Sequence, residues 1–323
     1  MYQAKKNNTT GAAIPPSPKG LGFLAVNRMK IALLSASGIG DCLLLATLGY
    51  SLKSKGWDVT LYSDHAGSFG AWLGGIHSRP QLPLEQIPDL SSFDALFLQH
   101  DNSPRARAVQ LLSHHQLYRF FGAHVPEKHG LLIDSSDYIC DRKVPMAENV
   151  GRAAKKFFNL SLLQTISSPF PNLRHRRFSK RILIHPTASS AAKCWPRQKF
   201  FALKSELEKR GLHCTFITAP NEKKEWGAED LPTLEALASF LYESGGCIGN
   251  DSGPGHLASL LQIPHLVIGG DGRQMPLWQP GWFPGALLTP PPFLMRFKLF
   301  QKRWGYFIKP KDVANKFIET IDL

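Results

Sequence analysis

Three short stretches of this chain carry residue types that bind phosphate or move a proton. The first, GNDSGPGHLA at residues 249–258, combines an acid, a hydroxyl, two close glycines and a histidine. It predicts a short strand and then a helix beginning near Gly253, capped by Asp251 or Ser252. Gly253 and Gly255 let a ligand approach the backbone, and the free N–H groups of a helix N-terminus attract anions. The stretch therefore indicates a cradle for a phosphate, most plausibly a diphosphate; an ordinary capped helix is the alternative.

The second stretch, HPTASSAAKCWP at residues 185–196, follows a predicted strand and faces the same cleft. Lys193 offers an ammonium group to phosphate oxygens, although a solvated surface lysine is the alternative. Trp195 fits a core anchor. The same loop carries hydroxyl groups that can donate hydrogen bonds: Thr187, Ser189 and Ser190.

The third stretch, SASGIGDCLL at residues 35–44, lies at the first predicted strand–helix turn. Gly38 and Gly40 permit a tight turn, and Asp41 falls in the first turn of the helix. Asp41 is either a partner of the helix dipole or a general base for an acceptor hydroxyl. The position favours both roles, but a helix N-terminus lowers the pKa of an acid. A dinucleotide fingerprint is excluded because Leu43 stands where its third glycine belongs.

The elements that must position these residues read strand, glycine loop, helix, strand, and this order begins again about 150 residues later. Such alternation predicts two doubly wound α/β domains that face one another across a cleft. Ligands in such sheets sit at the carboxyl ends of the strands. The predicted divisions are a mobile N-terminal tail (1–28), a first α/β domain (29–168), a linker (169–181), a second α/β domain (182–305) and a C-terminal helix (306–323).

Composition narrows the class of protein further. The net charge of +13 on 323 residues favours polyanionic partners, but no RNA- or DNA-binding signature appears, so nucleic acid is not expected. The five cysteines are odd in number and lack CxxC spacing, which predicts free, mostly buried thiols and neither disulfides nor zinc. The chain lacks a membrane-spanning run and a signal peptide, so we expect a cytoplasmic protein.

The stretches resemble those of the ADP-heptose:lipopolysaccharide heptosyltransferases, glycosyltransferase family 9. The resemblance covers roughly residues 30–290, and the strand FDALFLQH, residues 93–100, also looks like a segment of that family. The motifs that carry it, in chain order, are Gly40-Asp41, Lys193-x-Trp195-Pro196 and Asp251-Ser252-Gly253-Pro254-x-His256-Leu257-Ala258.

The resemblance implies a GT-B fold, two Rossmann-like domains with the active site between them. It implies that the first domain (29–168) lies on the acceptor side, that the second (182–305) binds the nucleotide-sugar, and that the C-terminal helix (306–323) crosses back to the first domain. It implies inverting, metal-independent transfer of a heptose from ADP-heptose to the lipid A–Kdo inner core of lipopolysaccharide, with no cofactor beyond the ADP-sugar substrate. Asp41 falls on the family's proposed base, Lys193 on the lysine beside the donor diphosphate, and Glu222 near an acid that binds the ribose, where Glu225 is the alternative. The expected donor-binding residues are Thr187, Ser189, Lys193, Glu222, Asp251, Ser252, Gly253, Gly255 and His256.

Two departures leave the substrates open. Ala46 and Thr47 stand where the family often has a proline, and residues 64–150, which would shape the acceptor pocket, do not align. Another nucleotide-sugar, a non-lipopolysaccharide acceptor, or a non-catalytic nucleotide-sugar-binding protein therefore remain alternatives. Near the C-terminus, residues 293–311 interleave aromatic and basic side chains. That pattern suits the anionic inner-membrane surface, where the glycolipid acceptor would lie. A single-strand nucleic-acid platform and aromatic residues packed inward are the alternatives.

Overall fold

The structure, a computed structural model, describes residues 28–68, 71–112, 116–162, 169–270 and 272–321. Apart from Arg28, the predicted N-terminal tail lies outside the described residues. The described chain forms two parallel sheets, one before and one after residue 170. This architecture confirms the predicted GT-B fold of two doubly wound α/β units.

The first sheet contains six parallel strands in the order β3-β2-β1-β4-β5-β6. This is a common doubly wound order, with its topological switch point between β1 and β4. β1 and β4 are apolar and almost entirely buried, as expected of central parallel strands. The strands are β1 (Lys30–Leu34), β2 (Asp58–Tyr62), β3 (His77–Arg79), β4 (Ala95–His100), β5 (Leu117–Phe121) and β6 (Asp137–Ile139).

The second sheet contains five parallel strands in the order β11-β10-β9-β7-β8. Its order is the other common doubly wound arrangement, and its switch point lies between β7 and β9. The strands are β7 (Phe178–His185), β8 (His213–Phe216), β9 (Ser244–Asn250), β10 (His265–Ile268) and β11 (Ala286–Leu288). β7 therefore begins inside the predicted linker, because its first three residues, Phe178 to Lys180, are exposed and do not resemble a buried strand.

Helices connect the strands in both halves. They are α1 (Ile39–Ser54), α2 (Pro104–Gln110), α3 (Pro126–His129), α4 (Met146–Phe158), α5 (Arg197–Glu208), α6 (Lys223–Trp226), α7 (Leu234–Tyr242), α8 (Gly253–Leu260), α9 (Met275–Trp278), α10 (Lys298–Gln301) and α11 (Pro310–Ile321). The predicted stops after α1 and α5 are confirmed, since Gly56 and Gly211 adopt φ of +88° and +80°, which side chains rarely tolerate.

A shared apolar core joins the two halves. It contains buried residues of α1 and β1 together with buried residues of α7, β9 and α8. Phe170, from the segment between the sheets, stacks on Trp72 at a centroid distance of 5.8 Å and contacts Tyr242 at 5.4 Å. The halves are therefore packed together beside the cleft.

The sequence predicted that the C-terminal helix crosses back to the first half, but the helix packs on the second half. α11 packs against α5 and the strands β9 to β11 of the second sheet. Val313, Ala314 and Phe317 are fully buried there. The Phe317 ring fits because Gly246 has no side chain: a Cβ at that position would lie 2.4 Å from Cζ of Phe317. This apolar face matches the second sheet, so α11 completes that half.

The five cysteines are free, and four are buried while Cys194 is half-buried, as predicted. Among the described residues, no helix combines the length and the apolar character needed to cross a bilayer.

Candidate active site

A cleft of about 780 Å³ opens between the two halves. Most of the residues predicted from the sequence line this one cleft: Asp41, Ser189, Lys193, Asp251, Ser252, Gly253 and His256. Asp41 follows β1, Lys193 follows β7 and Asp251 follows β9. All three thus lie at the switch points of their sheets, where α/β proteins bind ligands.

The N-termini of α1 and α8 meet in the cleft. A Cβ at Gly253 would lie 3.0 Å from Cβ of Ile39, and a Cβ at Gly40 would lie 3.1 Å from Cδ2 of His256. Both contacts are tighter than most Cβ contacts, so an alanine at either position would make the Ile39 or His256 side chain shift by a few tenths of an ångström. These two glycines therefore allow the positive ends of two helices to converge on one space.

Asp41 is held by groups of the first half. Nε2 of Gln99, at the end of β4, donates to Oδ1 of Asp41 at 2.5 Å. Oε1 of Gln99 accepts from the N–H of Ala36 at 3.3 Å, which fixes the amide with its nitrogen toward the carboxylate. The backbone of Gly38 also hydrogen-bonds Asp41. The sequence prediction missed Gln99, although it noted the strand that ends in Leu98-Gln99-His100.

Burial raises the pKa of Asp41 above its ordinary value, and the hydrogen bonds from Gln99 and Gly38 partly offset this effect. The helix N-terminus was expected to lower the pKa of this acid; desolvation outweighs it. A carboxylate with a raised pKa is a stronger base than an ordinary aspartate, and it still accepts oriented hydrogen bonds.

The loop that carries Lys193 is tied to the sheet by a buried asparagine. Asn250, at the end of β9, accepts from the N–H of Trp195 at 2.9 Å and donates to the carbonyl of Pro186 at 2.7 Å. Trp195 is 1% exposed, so it is the core anchor that the sequence suggested. The sequence prediction missed Asn250, which fixes both ends of the loop around Lys193.

Lys193 faces Asp251, with Nζ 3.4 Å from Oδ2. The lysine side chain is 52% exposed and that of Asp251 is 19% exposed. Ion pairs of such exposure contribute little, about 0–1 kcal/mol. The ammonium group can therefore leave Asp251 for a ligand diphosphate at small cost.

Ser252 occupies the N-cap position of α8, but its side chain does not cap the helix. Instead, Oγ of Ser252 lies 2.9 Å from Nδ1 of His185 and 3.1 Å from the carbonyl of Asn250. Burial lowers the pKa of His185 to about 4, so this imidazole is neutral near pH 7. The N–H of Gly253, the first residue of α8, has no helical acceptor and remains available to an anion.

Gly255 does not line the cleft. Its N–H donates to the carbonyl of Ser252 at 3.2 Å, and a Cβ at Gly255 would contact Val267 at 3.4 Å. This glycine lets α8 pack against β10, so the close approach of a ligand expected there falls on Gly253 instead.

Thr187 and Glu222 lie outside the cleft lining, beside one another. Oγ1 of Thr187 donates to Oε2 of Glu222 at 2.9 Å and lies 3.4 Å from Nε2 of His185. Glu225 turns away and pairs with Arg197 at 3.1 Å. Of the two acids that the sequence left open, Glu222 therefore stands on the side of the Lys193 loop.

His256 is 9% exposed and lies between the two halves. Burial lowers its pKa, while the nearby Asp251 acts in the opposite direction. The neutral form of the His256 imidazole is therefore favoured. This ring lies near the N-terminus of α8, beside Gly40 of α1.

One side of the cleft was not predicted from the sequence. It is formed by the loop after β10 and by the segment before α11, and its lining residues are Gly269, Gly270, Arg273, Gln274, Met275, Trp278, Met295, Gln301 and Trp304. Trp304 is 5% exposed, and its Nε1 donates to the carbonyl of Ala192 at 2.9 Å. A Cβ at Gly270 would lie 2.8 Å from this indole, so that glycine admits the ring. No local pattern in the sequence marks these long-range contacts.

Within the described ranges, no group of three or more His, Cys, Asp or Glu residues is arranged to hold a metal ion.

Comparison with known proteins gives a family match over part of the chain and a fold over nearly all of it. Residues 121–275 match the model of glycosyltransferase family 9 (heptosyltransferase), whereas the predicted resemblance began near residue 30. No curated protein sequence matches the chain.

Solved structures resemble nearly the whole chain. Escherichia coli ADP-heptose lps heptosyltransferase II is 16% identical, with 91% of this chain and 98% of that chain covered and a TM-score of 0.63. E. coli heptosyltransferase WaaC with ADP is 15% identical, with 91% and 100% covered and a TM-score of 0.64. WaaC with ADP-2-deoxy-2-fluoro heptose is 14% identical, with 90% and 99% covered and a TM-score of 0.62. At these identities the structures establish the fold, and with the match of residues 121–275 they confirm the predicted resemblance to glycosyltransferase family 9, the heptosyltransferase family.

Proposed function

We propose that the chain transfers a heptose from ADP-heptose, with inversion and without a metal ion, to the lipid A–Kdo inner core of lipopolysaccharide. The observation that carries the proposal is the single cleft in which Asp41 of the first half faces Lys193 and the N-terminus of α8 from the second half. A base and an anion cradle on opposite walls suit a reaction that deprotonates a nucleophile and expels a diphosphate.

Asp41 is the proposed general base. Inverting transfer needs the acceptor hydroxyl to lose its proton as it attacks the anomeric carbon. Burial raises the pKa of Asp41, and the hydrogen bond from the amide of Gln99 fixes the direction of the carboxylate. The carboxylate would take the proton, the new glycosidic bond would form, and the bond from the anomeric carbon to the diphosphate would break.

The leaving ADP gains negative charge as that bond breaks. Lys193 and the N–H of Gly253 are the groups proposed to stabilise it, as preorganised donors do in oxyanion-type sites. The half-exposed pair with Asp251 keeps Lys193 in the cleft before the donor arrives. These donors supply the charge that a divalent cation supplies in other transferases. Activity in excess chelator is the measurement for metal independence.

Glu222 is the proposed ribose ligand. It stands beside the Lys193 loop and accepts a hydrogen bond from Thr187, which leaves carboxylate lone pairs for sugar hydroxyls. The known structures of WaaC hold ADP and ADP-2-deoxy-2-fluoro heptose, and that likeness supports an adenine nucleotide here. Another nucleotide-sugar or a non-lipopolysaccharide acceptor remains the alternative on the same scaffold.

The acceptor would be an anionic glycolipid at the cytoplasmic face of the inner membrane, and the protein would be peripheral there. The net charge of +13 supports an anionic acceptor and an anionic surface.

Nucleotide specificity tests the donor class. In a thermal-unfolding screen, ADP should raise the midpoint more than UDP or GDP at equal concentration, because only a ligand of the folded state stabilises it. Equal shifts with all three diphosphates would contradict an ADP-sugar donor.

The substitution Asp41→Asn tests the base. ADP affinity should stay near that of the wild type, while acceptor-dependent ADP release should fall by about 10²–10⁴-fold, the usual contribution of a general base. If Asp41→Asn transferred the sugar at the wild-type rate, Asp41 would not be the base. Nucleotide binding with no transfer by the wild-type chain to any acceptor would favour a non-catalytic binding protein.

A further inference from the structure

The segment from Phe293 to Lys311 forms one rim of the cleft. Met295, Gln301 and Trp304 line the cavity, while residues between them face away from it. The segment includes α10 and two 3₁₀ turns, Leu294–Arg296 and Trp304–Phe307. The rim is thus built into the second half, directly beside the proposed donor site.

Hydrogen bonds within the second half hold the backbone of the rim in place. Nζ of Lys199, on α5, donates to the carbonyls of Gly305, Tyr306 and Ile308 at 2.8–2.9 Å. Trp304 is buried and bonds the loop of Lys193 through Ala192. Because these contacts fix the backbone, the outward direction of the neighbouring side chains is set by the fold.

Those outward side chains are large and apolar. Phe293 is 63% exposed, Phe297 60%, Leu299 60% and Tyr306 68%. Phe297 packs edge-on against Phe300 at 5.8 Å, so its ring extends an aromatic row instead of entering the core. The inward packing that the sequence left open holds for Trp304 but not for Phe293 and Phe297. Large apolar side chains exposed together indicate a surface that contacts a partner.

Basic side chains alternate with them. Arg296, Lys302 and Arg303 are exposed, and no salt bridge in the described part of the chain engages any of the three. From Phe293 to Lys311 the sequence contains no Asp or Glu. The surface therefore combines apolar area with uncompensated positive charge.

We infer that this rim docks onto the surface of an anionic lipid bilayer. Aromatic and leucine side chains would enter the headgroup boundary while the three basic residues contact anionic headgroups. Docking would place the mouth of the cleft at the membrane. The inference rests on the proposed function only in taking the acceptor to be lipid-linked.

A single-stranded nucleic acid also pairs bases with aromatic rings and phosphates with basic residues. The lipid surface fits better because Leu299 is as exposed as the aromatic residues. An aliphatic side chain offers a base no stacking face, whereas the acyl boundary accepts it as readily as a ring.

The test uses the full chain and vesicles in a co-sedimentation assay without donor or acceptor. The probes are vesicles of phosphatidylcholine with 30% phosphatidylglycerol, vesicles of phosphatidylcholine alone, and a single-stranded oligonucleotide. The test variant is Arg296→Gln, Lys302→Gln, Arg303→Gln. Its matched control is Lys55→Gln, Lys180→Gln, Lys224→Gln, which removes three exposed lysines elsewhere in the fold.

The wild type should bind the anionic vesicles and bind the neutral ones far more weakly. Each basic residue near an anionic surface strengthens binding about five-fold, so the test variant should bind about a hundredfold more weakly at low salt. The control should stay within a few-fold of the wild type. A second variant, Phe293→Ser with Phe297→Ser, should lose about tenfold or more with all charges intact.

Three results would overturn the inference: no binding of the wild type to anionic vesicles, equal losses in the test and control variants, or oligonucleotide binding that depends on the same three residues while vesicles do not bind. A cooperative thermal-unfolding transition without ligand checks that each variant is folded. Because the vesicles contain no glycolipid acceptor, failure of docking leaves the proposed transfer standing. Conversely, absence of ADP binding with intact docking contradicts only the transfer.

Discussion

Gln99 offers the most direct test of how the first half prepares Asp41. The substitution Gln99→Leu keeps a side chain of similar size at the end of β4 but removes the amide that bonds Asp41 at 2.5 Å and Ala36 at 3.3 Å. The carboxylate would then keep its backbone contact with Gly38 and lose its side-chain donor. Asp41 is half-buried on the wall of the cleft, so a water molecule in place of the amide would be a less ordered donor than Gln99.

The magnitude follows from the hydrogen bond to a charged group. Such bonds contribute about 1.5–3 kcal/mol, which corresponds to about 10–150-fold in rate if the whole contribution is lost from the transition state. The direction in which the pH profile should move is also determined. The bond from Gln99 lowers the pKa of Asp41, so its removal raises that pKa further, and the acid limb of kcat/KM should move to higher pH.

The assay is the pH profile of acceptor-dependent ADP release for the wild type and Gln99→Leu. The matched control is Gln81→Leu, because Nε2 of Gln81 donates to the carbonyl of Ser35 at 2.7 Å in the same loop. Gln81→Leu should disturb the loop and leave the acid limb where it is. Gln99→Leu should also lose more free energy of unfolding at neutral pH than at acidic pH, where Asp41 is protonated.

An unchanged acid limb in Gln99→Leu would refute the reasoning, since it would mean that Gln99 does not act on the ionised form of Asp41. Equal shifts in both variants would assign the effect to the loop and not to the hydrogen bond.

Two further predictions concern the second half. Lys193→Ala should lower kcat by about 10²–10³-fold and weaken ADP binding, because it removes the ammonium group and leaves Asp251 uncompensated beside the diphosphate; ADP titration calorimetry and initial rates measure both, and full ADP affinity would contradict the assignment. Glu222→Gln should weaken ADP binding more than phosphate binding, whereas Glu225→Gln, which loses only a surface pair with Arg197, should bind both normally. Equal ADP affinities in these two variants would remove Glu222 from the ribose site.

The sequence predicted the local parts of the site well, for a physical reason. The glycine loop before α1 and the strand–turn–helix around Gly253 are set by residues adjacent in the chain. Apolar runs of strand length and glycine stops at Gly56 and Gly211 likewise act locally. Such features can be predicted from residues that are neighbours in the sequence.

The parts that the sequence did not predict depend on distant partners. Gln99 reaches Asp41 across 58 positions, and Asn250 fixes the Lys193 loop across 55 positions. Ser252 has the residue type of a helix cap, but its Oγ hydrogen-bonds Nδ1 of His185, at the end of β7, and not the helix N-terminus. The amphipathic face of α11 was visible, yet the surface that it covers was not, because only the folded chain brings Gly246 beneath Phe317.

The placement of the reactive groups follows from the order of the strands. Asp41 lies where β1 and β4 diverge, and the Lys193 loop and Asp251 lie where β7 and β9 diverge. At each point, neighbouring connections leave on opposite faces of the sheet and open a crevice. Gly40 and Gly253 then let the two crevices approach closely, because a Cβ at either position would make a tight contact with a side chain of the opposite half. The proposed base on one sheet thus faces the proposed anion cradle on the other, and an alanine at either glycine would make the Ile39 or His256 side chain shift where the helix ends converge on the cleft.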